Sequence, residues 1–201
     1  ESLTIQLPLK REEAASVRVT YRVRDPQDGL YFFGPTPDAP EVPLQVWSQG
    51  EARTNRYWFP CIDSPSMKQT TELTAHVPVG FEALSNGALV ERTDEESGKK
   101  TRFHWVQKKE HVAYLVTLVV GKFHIGKDEW HGKPLLYYVP EKNKADVERS
   151  FGNTKAMLDF FSDQIGVEYP WEKYAQVVVE QFGHGGMENT SATTLNRNTL
   201  H

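Results

Sequence analysis

ELTAHVPVGFEALS at residues 72–85, followed by ALVERTD at 88–94, KKTRFHWVQ at 99–107 and AYLVTLVVGKFHI at 113–125, is a succession of short runs rich in β-branched and aromatic residues. Gly, Pro or charged turns separate them, and runs of this length at this spacing predict an antiparallel meander. TDEESGKK at 93–100 lies between two of the runs and holds a Gly among charges. That composition predicts a solvated hairpin tip rather than an interaction patch.

Toward the amino terminus, SVRVTYRVR at 16–24 alternates apolar and polar residues, with Val17, Val19, Tyr21 and Val23 on one side. The period of two predicts a half-buried strand. FFGPTPDAPEVP at 32–43 holds four prolines, which lack the N–H that a ladder needs, and predicts a loop. Residues up to about Ile125 are therefore expected to be all-β.

Toward the carboxyl terminus the period changes after Pro140. In KADVERSFGNTKAMLDFFSDQIG, Val147, Phe151, Leu158, Phe161 and Ile165 fall at helical spacing, with Thr154 completing the stripe. This predicts one long helix with an apolar face, stopped at Gly166. VEYPWEKYAQVVVEQF then supplies a turn with Pro170 and a strand whose unbroken Val177–Val179 core implies burial on both faces. The fold class is mainly β with an α+β carboxyl-terminal part. The boundary is expected near 130–142, giving units of 1–135 and 136–201.

Composition narrows the functional classes. Of 201 residues, 38% are hydrophobic and 25% charged, a globular balance. Lys plus Arg at 23 against Asp plus Glu at 27 gives a net charge of -4, which offers no electrostatic footprint for nucleic acid. No run approaches the roughly 18 uninterrupted apolar residues of a membrane span, and ESLTIQLPLKREEAA lacks a signal peptide's basic start and apolar core. A soluble chain is expected. The single cysteine, Cys61, excludes an internal disulfide framework and leaves the redox compartment undecided.

Two runs carry candidate chemistry. SQGEARTNRYWFPCIDSPSMK at 48–68 places Gln49 and Glu51 two apart, on one face if extended, ahead of Tyr57, Trp58 and Phe59 and of two prolines framing Cys61 and Asp63. An aromatic-rich turn with an ordinary exposed carboxylate explains the same residues. QFGHGGMENTSATTL at 181–195 leads from a buried strand into Gly183, Gly185 and Gly186, where absent side chains let another backbone approach, and then into Glu188 and Asn189. Such a strand end suits pairing with an extended peptide, and a carboxylate beside it suits the peptide's terminal ammonium. A glycine-rich turn without a ligand is the alternative. There is no G-x-S-x-G elbow and no P-loop, and Cys61 has no neighbouring base in sequence.

Taken together, residues 48–86, with the PC-x-D-x-P-x-x-K core, and HGGMEN at 184–189 resemble the M1 family of zinc aminopeptidases, the group that includes aminopeptidase N and leukotriene A4 hydrolase. The resemblance covers roughly Val42 onward. It implies a β-sandwich or saddle-shaped amino-terminal domain followed by the start of a thermolysin-like catalytic domain. It implies a peptide substrate with a free amino terminus. Glu188 resembles the glutamate that binds the substrate's amino group, Gly185, Gly186 and Met187 the strand that pairs with its backbone, with Asn189 closing the motif. Gln49 and Glu51 resemble β-domain residues that reach into the same pocket, Glu51 as a second amine anchor.

The family's zinc is held by H-E-x-x-H on a helix plus a later glutamate, and no such string occurs here. His104 with His111 and His124 with His131 are seven apart, in β-rich or turn segments, and lack a third ligand. The chain is thus expected to be a fragment that contributes substrate binding, holds neither metal nor catalytic residues, and needs the remainder of the catalytic domain. An M1-like scaffold without activity is the rival expectation.

Overall fold

The computed structural model describes residues 3–8, 10, 13–95 and 97–201. Among the described residues seven strands make up the first part: β1 (Leu30–Phe33), β2 (Gln45–Ser48), β3 (Lys68–Pro78), β4 (Glu82–Ser85), β5 (Ala88–Asp94), β6 (Lys100–Val112) and β7 (Leu118–Gly121). They divide between two antiparallel sheets, of order β1-β2-β7-β4 and β3-β6-β5. The expected strands are present, but they are not a sequential meander. The turn at Gly80, with φ +86°, sends β4 away from β3 to pair with β7, while β3 and β5 flank β6. The β5–β6 connection is the expected hairpin: the Gly98 N–H donates to the Glu95 carbonyl at 2.8 Å and the Glu95 N–H to the Lys100 carbonyl at 2.9 Å.

Alternation on β6 decides which face turns inward. Thr101, Phe103, Trp105 and Gln107 are buried while their neighbours are half-exposed, and Ala75 and Val77 of β3 lie opposite Phe103 and Thr101. Fully burying a side chain such as Phe103 contributes roughly 1.5–3 kcal/mol. Trp105 also donates its indole N–H to the Ala83 carbonyl at 2.9 Å, which fastens the two sheets together.

Ser16–Arg24 does not form the expected strand. Val17, Val19 and Tyr21 are exposed, and no described strand pairs with the segment. Alternation reports that a segment fits a half-buried face, and without a ladder partner it is not enough to make one.

The second part comprises β8 (His124–Trp130), β9 (Lys133–Val139), a 3₁₀ segment at Glu141–Asp146, α1 (Val147–Phe151), α2 (Thr154–Ile165), β10 (Tyr174–Val179), β11 (Gly186–Met187) and β12 (Ala192–Asn196). Its sheet has the order β11-β12-β10-β9-β8, with β10 parallel to both neighbours. The architecture is thus mainly β with a smaller α+β carboxyl-terminal region. Val177, Val178 and Val179 of β10 are completely buried, as an unbroken apolar strand between two neighbours requires. Val177 and Val179 join Trp47, Trp105 and Val119 in one core that all three sheets share.

The single long helix expected from the sequence is broken at Gly152–Asn153. A Cβ at Gly152 would stand 2.6 Å from the Glu148 carbonyl oxygen, so the close turn there admits only glycine. The apolar stripe is buried at its start, where Phe151 stacks on Tyr137 at 5.1 Å and Thr154 is enclosed. It is not buried at its end: Phe161 and Ile165 are 57% and 70% exposed, and Leu158 is the α2 residue that packs against the core. The expected stop holds, with Gly166 at φ +74° donating its N–H to the Ser162 carbonyl at 2.8 Å.

Candidate functional site

The segment after β10 is aimed by β2. Gln45 accepts the Glu180 N–H at 3.0 Å through Oε1, and the Trp47 indole N–H donates to the Glu180 carbonyl at 3.1 Å. The Trp47 ring meets Phe182 edge-on at 5.1 Å. Held at its root, the chain passes through exposed Gly183–Gly185 and returns as β11, antiparallel to β12 with Gly186 opposite Leu195 and Met187 opposite Thr194. β11 is the outer strand of its sheet, so one row of its backbone groups faces away from β12. A Cβ at Gly186 would lie 3.0 Å from Leu195 Cδ2, whereas Gly183 and Gly185 have nothing within 4 Å, which leaves open space before this edge.

Gln49 follows β2 directly, and its backbone N–H donates to the Gly29 carbonyl at 3.0 Å. Its side chain is buried and reaches the GGMEN segment: Nε2 donates to Met187 Sδ at 3.3 Å. Among the described residues Gln49 Oε1 and Asn189 Oδ1 are buried acceptors without a partner, while Asn189 Nδ2 donates to Thr194 Oγ1 at 3.2 Å. Glu51 and Glu188 are both exposed, and no ion pair among the described residues engages either. The structure therefore joins Gln49 to Met187 directly and carries Glu51 and Glu188 within two residues of that contact.

Residues that sequence reasoning passed over hold the loop in place. Gly50 packs so closely that a Cβ would stand 2.3 Å from the Tyr114 carbonyl oxygen. Asn55, fully buried, donates from Nδ2 to the Ala113 and Val116 carbonyls at 2.6 and 2.9 Å and accepts the Trp58 indole N–H at 2.8 Å. Asn86 donates from Nδ2 to the Leu115 and Thr190 carbonyls at 2.8 and 2.7 Å, tying the first part of the chain to the residues just after Glu188. In sequence Ser85-Asn86-Gly87 looks like a plain turn, so only its fit to turn chemistry could have drawn attention to it.

Asp63 is a clip for Arg56, accepting from Nε at 3.1 Å while the Asp63 carbonyl accepts from Nη2 at 3.1 Å. Burial first, and then the Asp63 carboxylate, push the Cys61 thiol up to about 11, so the cysteine stays protonated and is a poor nucleophile at neutral pH. His111 is buried, and burial holds its imidazole below the usual range. His104 and His131 instead face Glu72 and Glu168 at 3.3 and 3.1 Å, in separate places. Among the described residues no three His, Cys, Asp or Glu come together in a group that could hold a metal ion. The described residues do not fit a zinc site. Among the described residues no helix is long and apolar enough to cross a membrane.

Residues 1–115 match the Peptidase M1 N-terminal domain and residues 149–201 the Peptidase family M1 domain. Glutamyl aminopeptidase of Rattus norvegicus is 34% identical over 144 residues, which cover 71% of this chain and 15% of that protein. Aminopeptidase N of Acetobacter pasteurianus is 26% identical over 204 residues, covering 100% of this chain and 57% of that protein. Transcription initiation factor TFIID subunit 2 of Gallus gallus is 25% identical over 187 residues, 92% of this chain and 16% of that protein. The chain thus spans about 15% of the length of the glutamyl aminopeptidases it matches. With the amino-terminal family match covering more than half of the residues and the peptidase match covering the glycine-rich edge, this chain belongs to peptidase family M1.

Proposed function

We propose that the full-length protein is a zinc-dependent aminopeptidase that hydrolyses amino-terminal residues from peptides, and that this chain binds the substrate's free amino terminus. Residues 1–135 serve as its β-rich amino-terminal domain and 136–201 as the opening of its catalytic domain, with zinc held by the remainder of that domain. An extended peptide adds to the outer edge of β11 along Gly185, Gly186 and Met187, its backbone completing hydrogen bonds that the sheet leaves open. Its terminal ammonium sits between the Glu188 and Glu51 carboxylates and donates to Gln49 Oε1, with Asn189 Oδ1 as a further acceptor.

The observation that supports this reading is the Gln49–Met187 contact, which unites the two candidate runs around buried acceptors that lack donors. An ammonium carries three donors and a positive charge, which is what such acceptors and two free carboxylates would take. The test is hydrolysis of an aminoacyl reporter by the full-length protein, alongside its zinc content. Turnover of the free-amino reporter well above its amino-blocked counterpart supports the reading, and metal-free, inactive protein overturns it.

A second reading, an M1-like interaction or scaffold module without catalysis, is favoured by the similarity to TFIID subunit 2 over 92% of the chain. It expects the full-length protein to carry no zinc and to turn over neither reporter.

A further inference from the structure

Lys173, at the start of the β10 region, is the one lysine among the described residues that is buried, at 3% exposure. A buried ammonium ordinarily sits on a carboxylate. Here its Nζ donates to three oxygens instead, none of them on a charged group: the Ser85 carbonyl at 2.8 Å, Ser191 Oγ at 3.0 Å and the Ser191 carbonyl at 3.2 Å. The Trp105 ring covers it, with the centroid 4.8 Å from Nζ. Glu172 is the carboxylate whose charge reaches it, and burial outweighs that attraction.

Two of the three acceptors belong to Ser191, which has φ +63°, a conformation uncommon for a residue with a side chain. Ser191 is itself buried, and its Oγ also accepts the Gly87 N–H at 2.7 Å. Its neighbour Thr190 is held through its carbonyl by Asn86 at 2.7 Å. The turn from β11 to β12 is therefore fixed from the opposite side by Lys173, Gly87 and Asn86, and Glu188 lies three residues before Ser191 in that turn. Rigid placement of a binding carboxylate needs support of this kind behind it.

We propose that Lys173 is a positioning residue for Glu188: by holding Ser191 it sets where the turn delivers the carboxylate that meets the substrate ammonium. This rests on the reading of Glu188 as the amine anchor. Lys173 touches no substrate, and its effect reaches the site only through Ser191, Thr190 and Asn189.

The experiment compares Lys173→Met and Ser191→Ala in the full-length protein, each alone and combined with Glu188→Gln, on a free-amino reporter and its amino-blocked counterpart. Lys173→Met is expected to raise KM for the free-amino reporter about fivefold or more while kcat changes by about twofold at most, and to leave the blocked reporter unchanged. In the Glu188→Gln background it is expected to add nothing. Equal losses on both reporters, or the same loss with Glu188 already neutralised, would show that Lys173 merely supports the fold. Should Lys173→Met fail to fold, Ser191→Ala supplies the same readout by removing one acceptor. Glu188→Gln without any effect on the free-amino preference overturns the amine-anchor reading and the Lys173 role with it. A Glu188→Gln effect with Lys173→Met and Ser191→Ala at wild-type values overturns the Lys173 role alone.

Discussion

Gln49 donates a hydrogen bond to the sulfur of Met187 at 3.3 Å, across 138 residues of chain. A thioether is a weak acceptor, so this bond contributes little to stability by itself. Its consequence is orientation: with Nε2 committed to Met187, the carbonyl end of the Gln49 side chain is the end left without a partner among the described residues. Replacing Gln49 by Leu removes a weak bond and an unpaired buried acceptor together, and stability is expected to stay within about 1 kcal/mol of wild type. In the full-length protein kcat/KM for free-amino substrates should fall about threefold to tenfold. Thermal denaturation and paired kinetics check both halves, and a large loss of stability would assign Gln49 to the core instead.

Glu188→Gln removes charge while keeping shape. An ammonium–carboxylate hydrogen bond contributes about 1.5–3 kcal/mol, so kcat/KM for substrates with a free amino terminus should drop about tenfold or more. Glu51→Gln should cost less, because Glu188 remains. Zinc content, measured by elemental analysis, should not change in either variant. Equal losses on blocked and free substrates would remove the amine-binding role from both glutamates.

Lys173 makes stability depend on pH in a defined direction. Burial lowers its ammonium from the ordinary lysine range to about 7, and the neighbouring Glu172 carboxylate opposes that shift. Below about pH 7 both folded and unfolded chains hold the proton, and the folded state carries the full cost of a buried charge. Between about 7 and about 10 the folded state sheds the proton while the unfolded state keeps it, so stability rises with pH by up to about 1.4 kcal/mol per unit. The neutral amine still has two donors for the Ser85 and Ser191 oxygens. Urea midpoints at mildly acidic and mildly alkaline pH should therefore diverge in wild type, and Lys173→Met should flatten the divergence. An unchanged slope in the variant would mean that Lys173 titrates as an ordinary lysine.

Met157, Phe161 and Ile165 lie at i, i+4 and i+8 on α2 and are all exposed, with exposed Phe160 beside them. A contiguous apolar face of this kind promotes association. The 201-residue chain should self-associate with rising concentration, and Phe161→Glu with Ile165→Lys, an i,i+4 pair in the favourable order, should suppress it. Light scattering reads the outcome, and stability should move by only about 0.5 kcal/mol. Persistent association in the double variant would place the contact elsewhere.

What could be read from sequence and what could not divide along physical lines. The β-rich run at 99–107 was legible as a strand, and the unbroken Val177–Val179 reported its burial, because each depends only on a strand having neighbours. Which neighbour was another matter: nothing local in Glu82–Ser85 says that it leaves β3 to pair with residues 118–121. Val17, Val19 and Tyr21 alternate as well as any strand and yet stay unpaired. At the candidate site, Gln49, Glu51 and the GGMEN run stood out by motif. Asn86, Lys173 and Ser191 did not, since a turn asparagine, a lysine before a strand and a loop serine are each ordinary until folding brings Asn86 to the Thr190 carbonyl at 2.7 Å and Lys173 to Ser191 Oγ at 3.0 Å.

The strand order β1-β2-β7-β4 puts the last-made strand inside its sheet. Val120 of β7 stands beside Val46 of β2 and Ala83 of β4, separations of 74 (120 minus 46) and 37 (120 minus 83) residues. During synthesis on the ribosome, β2 and β4 each leave an edge open until Leu118–Gly121 emerges. Open edges held that long recruit other strands, so this stretch is where a chaperone that shields nascent β edges has the most to do. A stall in translation shortly before residue 118 would release a chain with two unpaired strand edges, whereas one shortly after residue 121 would release a chain able to close them.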